Sequence, residues 1–414
     1  MNRRTFIKQL IGSGLSLGAG MSLPGTVQAA ASGRVMVVVF LRGGWDGLNV
    51  AVPYGEAAYH SLRPSLRIAP PSSGNANSAL DLDGFFGFHP AMAPIHTLYQ
   101  EGRVAVLPSV LYPNASGSHF EGQDILEDAA STPTTSGWLA RYLTATPNSG
   151  GVAARALSLT PGVPRSMRGL IPVPSYSDLG GLVLAANQKD RDMLGAVMAD
   201  QYGRVPAAGN PSAASLHNTA SQLLLDMDVL LAINSLPVEG GAVYPATTFG
   251  RQMRQAAALV KGKPGLELIT LDLGGWDTHR DQGAGQPEGQ MSRLLKQFAD
   301  AVGAFFQDLG ALSTRVTLLT SSEFGRTAAE NGSGGTDHGR ATTWLVMGGG
   351  VRGGIYTGTG WPGLEPDQLH EGRYLAHSID FRAVYGDCLS RVLGLANPGV
   401  VIPGYNQGTL GFLV

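Results

Sequence analysis

Val35-Met36-Val37-Val38-Val39-Phe40-Leu41, followed at once by Arg42-Gly43-Gly44-Trp45-Asp46, is the stretch that decides the fold. Seven consecutive apolar residues make a strand buried on both faces, and such strands belong to parallel sheets covered by helices. A second run, Leu266 to Leu273, leads into the same tetrapeptide, Gly274-Gly275-Trp276-Asp277. In an open parallel sheet ligands collect beyond the carboxyl ends of the strands. Two aspartates leaving matching strand ends therefore predict one shared polar site.

Outward from these runs, Val104 to Val110, Val316 to Thr320 and Thr343 to Met347 also read as strands. Pro90 to Glu101, His119 to Ala130, Leu216 to Ile233, Phe249 to Lys261, Gln290 to Leu312 and Phe381 to Leu393 carry apolar residues at three- and four-residue spacing, the helical period. The alternation predicts an α/β fold, with a mainly parallel sheet between helix layers. Residues 144–239 are rich in Gly, Pro, Ser and Ala with few strand signals, and read as an insertion or cap within a domain spanning 33–414.

With 414 residues, 43% apolar and 14% charged, the chain is a well-buried globular protein. Its formal net charge is -2 and it has no basic stripe, which argues against nucleic acid as a partner. The start, Asn2-Arg3-Arg4-Thr5-Phe6-Ile7-Lys8, then a weakly apolar, glycine-broken stretch and Val27-Gln28-Ala29, looks like a twin-arginine export signal over residues 1–29, cleaved after Ala29 or one or two residues later. The apolar stretch is short for a lasting membrane span. The expected partner is the twin-arginine export machinery, and the expected location is the periplasm or the outside of the cell. Cys388 is the lone cysteine and forms no intrachain disulfide.

Four segments could carry chemistry. Asp277-Thr278-His279 places an acid and an imidazole one residue apart just past a strand, able to turn toward one ion, although an acid in a turn would look the same. Glu323 ends the strand at Ser321-Ser322 and precedes Arg326, a spacing that also suits a plain ion pair. Asp337-His338-Gly339-Arg340 sits in a glycine-rich loop before the last strand. Ser118-His119 opens a helix, where Ser118 is a natural N-cap and also lies where backbone donors favour an anion. If Asp46, Asp277 and Glu323 converge, their mutual repulsion raises their pKa values unless a cation intervenes. His279 and His338 would then add nitrogen ligands suited to zinc, manganese or iron, in a one- or two-metal site.

At these residues the chain resembles the exported family called domain of unknown function 1501. The marks are Leu41-Arg42-Gly43-Gly44-Trp45-Asp46-Gly47-Leu48-Asn49, Ser118-His119-Phe120, Gly274 to His279, Ser322-Glu323-Phe324-Gly325-Arg326-Thr327 and Gly335-Thr336-Asp337-His338-Gly339. More distantly the motif order is similar to the alkaline phosphatase and sulfatase superfamily of three-layer αβα hydrolases with paired metals. That resemblance implies Asp46, Asp277, His279, Glu323 and His338 as metal ligands, with His119 as a further nitrogen ligand, and Ser118 as nucleophile. Arg326 or Arg340 would then neutralise the transferred group. The implied activity is hydrolysis of a small anionic ester, phosphate first; the alternative is a non-catalytic envelope protein that keeps the fold. Three departures stand out: Asp277 and His279 are closer together than the superfamily pair, Phe324 follows Glu323 where a His is expected, and Ser118 lacks the sulfatase formylglycine context. Either Glu323 or Asp337-His338 can fill the paired position.

Overall fold

The computed structural model describes residues 33–113, 115–130, 134–147, 155–182 and 229–414, with Met193, Val197, Asp200 and Met227 as isolated positions. The export signal at 1–29 and most of the helix expected from Leu216 to Ile233 lie outside the described residues.

Eight strands build the main sheet: β1 (Val35–Leu41), β2 (Val104–Leu111), β3 (Ala156–Ser158), β4 (Leu268–Leu273), β5 (Val316–Ser321), β6 (Thr342–Gly348), β7 (Gly354–Ile355) and β8 (Ile379–Asp380). Their order is β7-β2-β6-β5-β1-β4-β3, with β8 also paired to β2. Every pairing is parallel except those of β6, which runs against both β2 and β5. An apolar run specifies burial and not direction, so this reversal is invisible in the sequence. It matters because the residues before β6 thereby reach the rim where its neighbours end.

The helices are α1 (Gly47–Val50), α2 (Ala57–Leu62), α3 (Ala93–Gln100), α4 (His119–Asp128), α5 (Trp138–Ala145), α6 (Thr248–Gly262), α7 (Gln290–Leu309) and α8 (Phe381–Asp387). Alternate β1 side chains point to opposite faces. Val35, Val37, Val39 and Leu41 pack with Ile95, Met253, Leu295 and Phe298 of α3, α6 and α7. Met36, Val38 and Phe40 pack with Leu126, Leu139, Tyr142 and Val384 of α4, α5 and α8. The two apolar layers make the expected three-layer αβα fold, each buried aliphatic side chain contributing about 1.5–3 kcal/mol. On α7, Met291, Leu295, Phe298, Val302 and Phe305 form one buried stripe at three- and four-residue spacing.

Several element ends differ from the sequence reading. Helix α7 stops at Leu309 because Gly310 takes φ +49, and a 3-10 turn, Gly310–Arg315, replaces the expected last residues. Helix α8 passes at Asp387 into a π-helical turn, Cys388–Val392. Within the region read as an insertion, Ala156–Ser158 joins the main sheet beside β4, too short to leave a strand signal. Among the described residues no helix is long and apolar enough to cross a membrane.

Candidate metal centre

The site is assembled at the carboxyl rim around the second Gly-Gly-Trp-Asp. Past β4, Gly275 turns at φ +99, and Trp276 buries its ring with Nε1 donating to the Leu273 carbonyl at 2.9 Å. With the indole thus anchored, the Asp277 side chain is left 48% exposed at the rim.

Four nitrogens meet its Oδ1. Arg326 Nη2 lies 2.6 Å away, His279 Nε2 3.0 Å, His338 Nε2 3.1 Å and His119 Nε2 3.4 Å. The Nε2 atoms of His119 and His338 are themselves only 3.0 Å apart. His119, Asp277 and His338 can each offer one ligand atom within 4.8 Å of the others.

The far sides of the rings decide the chemistry. His119 Nδ1 faces Glu323 Oε1 at 2.7 Å, His279 Nδ1 faces Asp337 Oδ1 at 3.3 Å, and His338 Nδ1 faces the Gly117 carbonyl at 2.9 Å. Carboxylate and carbonyl oxygens only accept, so each Nδ1 carries the proton and each Nε2 presents a bare lone pair, an assignment made from the hydrogen-bond network. Lone pairs converging beside a carboxylate repel unless a proton or a cation lies between them. The Nε2 atoms of His119 and His338 with Asp277 Oδ1 form a three-donor group that fits a zinc-type divalent cation, each ring oriented by an outer acceptor, and His279 Nε2 stands beside Asp277 as a further nitrogen.

The electrostatics agree. Burial pushes the Asp277 carboxyl up, but the Arg326 hydrogen bond and charge, with His279 and His119, outweigh it and hold its pKa at about 2. Burial likewise opposes ionisation of Glu323, which the His119 hydrogen bond, the Gly43 N–H and Gln123 overcome, leaving its pKa below the usual value. The Glu323 hydrogen bond raises the pKa of His119 against partial desolvation.

Local sequence explains how each ring arrives. His119 is the first residue of α4, whose N-cap is Ser118. Gly122 lets that helix press on Glu323, since an added Cβ would lie 3.0 Å from the glutamate Cβ. His338 precedes β6 and reaches the rim because that strand is reversed. The loop carrying it lies so close over His279 that a Cβ on Gly335 would sit 2.3 Å from the His279 carbonyl carbon.

Not every expected residue joins this group. Asp46 is fully buried and bound by Arg63 (Nη1 to Oδ2 2.6 Å, Nη2 to Oδ1 2.9 Å) and by Gln282 Nε2 at 2.6 Å. Its counter-charge is a guanidinium, so it is not a ligand of the cluster. Glu323 faces the ring of His119 from behind, and also takes the Gly43 N–H at 2.8 Å, instead of pointing at the cation position. The two carboxylates named for the paired position, Glu323 and Asp337, each contact the Nδ1 of a histidine, His119 and His279. Among the described residues one such cluster is found, where one or two ions were expected. Arg326 is spent on the carbonyls of Gly43, Gly44, Trp276 and Thr336 as well as on Asp277, and is buried. Arg340 donates to the Ala115 carbonyl at 3.0 Å. The Arg326 guanidinium is thus fully engaged, while Arg340 commits one N–H to backbone. Ser118 Oγ accepts from the Glu121 N–H at 3.5 Å as the helix cap. Sequence reasoning missed Arg63, Gln282 and Asn331, which donates to Asp337 Oδ1 at 3.1 Å. The need of a buried acid for a counter-charge was a usable signal for Arg63; spacing held none for the other two.

Fold and cluster together define a three-layer α/β protein with a histidine-rich cluster on the rim of its sheet that could hold a cation. The chain belongs to the family described as protein of unknown function (DUF1501), whose model matches residues 88–405. None of the curated proteins matches it. Among solved structures it is similar to the C-terminal periplasmic domain of EcEptC from Escherichia coli in complex with Zn, at 11% identity and TM-score 0.38, covering 94% of this chain and 93% of that one. A phosphonate monoester hydrolase of Agrobacterium radiobacter matches at 10% identity and TM-score 0.32, covering 91% and 79%. The lipoteichoic acid synthase LtaP from Listeria monocytogenes matches at 8% identity and TM-score 0.32, covering 80% and 69%. At these scores the likenesses are loose, and the site is read from its own geometry.

Proposed function

We propose that this protein is an exported, metal-dependent hydrolase of phosphate esters or related anionic esters, working at a single divalent cation, most suitably zinc, manganese or iron. The observation that carries the reading is the convergence of three Nε2 atoms on Asp277 Oδ1, each ring fixed by an outer acceptor. Asp277, His119, His279 and His338 would hold the ion. A bound cation supplies Lewis-acid polarisation of an ester oxygen and partial neutralisation of its charge.

The remaining work falls to the chain. Glu323 and Asp337 keep their imidazoles in the Nδ1–H form, and Arg326 keeps Asp277 ionised and in place. Ser118, on the first turn of α4 beside His119, is the nucleophile we assign. Its Oγ forms a bond to phosphorus as the bond to the leaving oxygen breaks, and the hydroxyl proton ends on the leaving group. Water then cleaves the seryl phosphate and restores the hydroxyl. The arginine pair at the start of the chain supports folded export to the periplasm or beyond.

One contact favours a second reading. Arg326 at 2.6 Å already neutralises Asp277, so the cluster could persist in a non-catalytic envelope protein. Metal analysis of the purified mature protein, followed by turnover of phosphate monoesters, phosphate diesters and sulfate esters, separates the two. About one ion per chain with ester turnover supports the hydrolase. A metal-free protein that stays metal-free in added zinc, or a His338→Ala variant with unchanged turnover, sinks it.

A further inference from the structure

An anionic ester held against a cation needs a second positive group for its outer oxygens, and Arg326, expected there, is occupied. Arg326 gives its N–H groups to four carbonyls and to Asp277. Arg63 is consumed by Asp46 and backbone, Arg42 by Asp272, Gln123 and Glu127, and Arg340 has one N–H tied to the Ala115 carbonyl.

Arg373 differs. Its side chain is 54% exposed, and its guanidinium meets the site only through Nη2 at 3.3 Å from Asp337 Oδ2, the carboxylate whose other oxygen holds His279. It is therefore two hydrogen-bonding steps from the Asp277 cluster. The backbone that presents it is unusual. His370 and Tyr374 pair in both directions, at 2.9 and 3.0 Å, across a tight turn in which Glu371 takes φ 54 and Gly372 φ 63. Two successive left-handed residues in this three-residue loop, closed also by the Arg373 N–H to the His370 carbonyl at 3.1 Å, make a sharp hairpin, and a glutamate at such a position is strained. The hairpin is bound to the cluster's own loop by Ala328 N–H to the Arg373 carbonyl at 3.1 Å and by the Thr327–Tyr374 bridge. The Tyr374 ring lies 5.5 Å from the guanidinium carbon and supports it from one side.

We infer that Arg373 is the substrate-binding arginine of this protein, exchanging its long contact with Asp337 for the free oxygens of a phosphate or similar oxyanion. This rests on the cation-site reading above and names a residue that reading left unassigned. A planar fork held at a rigid hairpin tip suits an oxyanion better than a lysine would.

The test is calorimetric titration of inorganic phosphate into the zinc-loaded mature protein, with zinc content measured on each variant. Arg373→Ala should weaken phosphate binding by about 10- to 100-fold with zinc content unchanged, and Arg373→Lys should recover part of the loss. Arg280→Ala, at an exposed arginine next to His279, should bind phosphate like the parent protein. Equal affinity in Arg373→Ala and the parent overturns the assignment. So does a loss of the same size in Arg280→Ala, or a zinc-loaded parent that takes no phosphate. Because the readout is binding, phosphate affinity that depends on Arg373 in a protein that turns over no ester would sink the hydrolase reading and leave the arginine assignment standing.

Discussion

Gly43-Gly44-Trp45-Asp46 and Gly274-Gly275-Trp276-Asp277 are the same four residues at the ends of neighbouring strands, yet one carboxylate is fully buried on a guanidinium and the other lies half exposed among three imidazoles. Strands β1 and β4 pair with Leu41 opposite Leu273, so the first tetrapeptide starts two residues past that pair and the second only one. The spare residue is Arg42, and the turns differ accordingly: Gly43 and Gly44 both take positive φ, at +120 and +65, whereas in the second copy only Gly275 does. The tryptophans still find each other, edge to face at 5.5 Å. The tetrapeptide therefore specifies an indole anchor under the rim. The fate of each aspartate is decided by the residues after it: Gly47 and α1 fold Asp46 inward toward Arg63, while Thr278-His279 leaves Asp277 at the surface.

The largest effect should come from breaking the first copy. Arg63→Met strands Asp46, part of Asn49 and the Thr327 and Ala328 carbonyls in a dry network, and leaving one partner of a buried pair costs about 3–5 kcal/mol. Urea unfolding of the two proteins measures it, and a loss below about 1 kcal/mol would mean that Asp46 finds water or another partner. The second copy should answer in another currency. Asp277→Asn is expected to cost less stability than Arg63→Met, since the side chain is half exposed and the amide oxygen can still accept from Arg326, while lowering zinc affinity by more than about 100-fold, beyond what outer partners control. If the two variants exchanged phenotypes, the division between a structural and a functional copy would be wrong.

The sheet was legible because seven consecutive apolar residues in β1 have few other uses, and the two-sided core came from their alternation. The site was legible only as a set. Asp277, His279, His338 and His119 do meet, but Asp46 could not be told from Asp277 when the tetrapeptides are identical. The electrostatic argument that a rim acid needs a cation holds for both, and the sequence does not say whether the cation is a guanidinium or a metal. The role of Glu323 was hidden for a related reason. Its strand-end position suits a ligand, and only the approach of α4 across Gly122 turns its carboxylate toward His119 Nδ1 instead.

That outer contact provides the next test of the second copy. Glu323→Gln keeps the volume and removes the charge that orients His119, and should lower zinc affinity by about 10- to 100-fold, less than the loss of Asp277 itself. The pH dependence has a definite sign. In the metal-free protein Glu323 raises the His119 pKa, so the imidazolium stabilises the fold below its ordinary value of about 6.5, and that contribution disappears as pH rises through the raised value. Zinc binding runs the other way, because the proton must leave Nε2 first: affinity should climb as pH rises through that same value. Both slopes should flatten in Glu323→Gln. Unfolding midpoints and zinc titrations from about pH 5 to about pH 9 would show it, and an unaltered pair of slopes would remove His119 from the cluster.

The smallest effect is expected at Ser118, the residue that delivers His119 to the second copy's aspartate while touching neither tetrapeptide. As an N-cap its hydroxyl satisfies a first-turn N–H of α4, and losing it costs about 1 kcal/mol. As a nucleophile its loss would abolish turnover without disturbing the cation. Ser118→Asp separates the roles, because a carboxylate caps a helix as well as a hydroxyl does and cannot form the seryl ester. Ser118→Ala should therefore lose about 1 kcal/mol of stability and all covalent turnover, and Ser118→Asp should restore only the first. Turnover that survives in Ser118→Ala would confine the serine to capping and leave the chemistry to the cluster around Asp277.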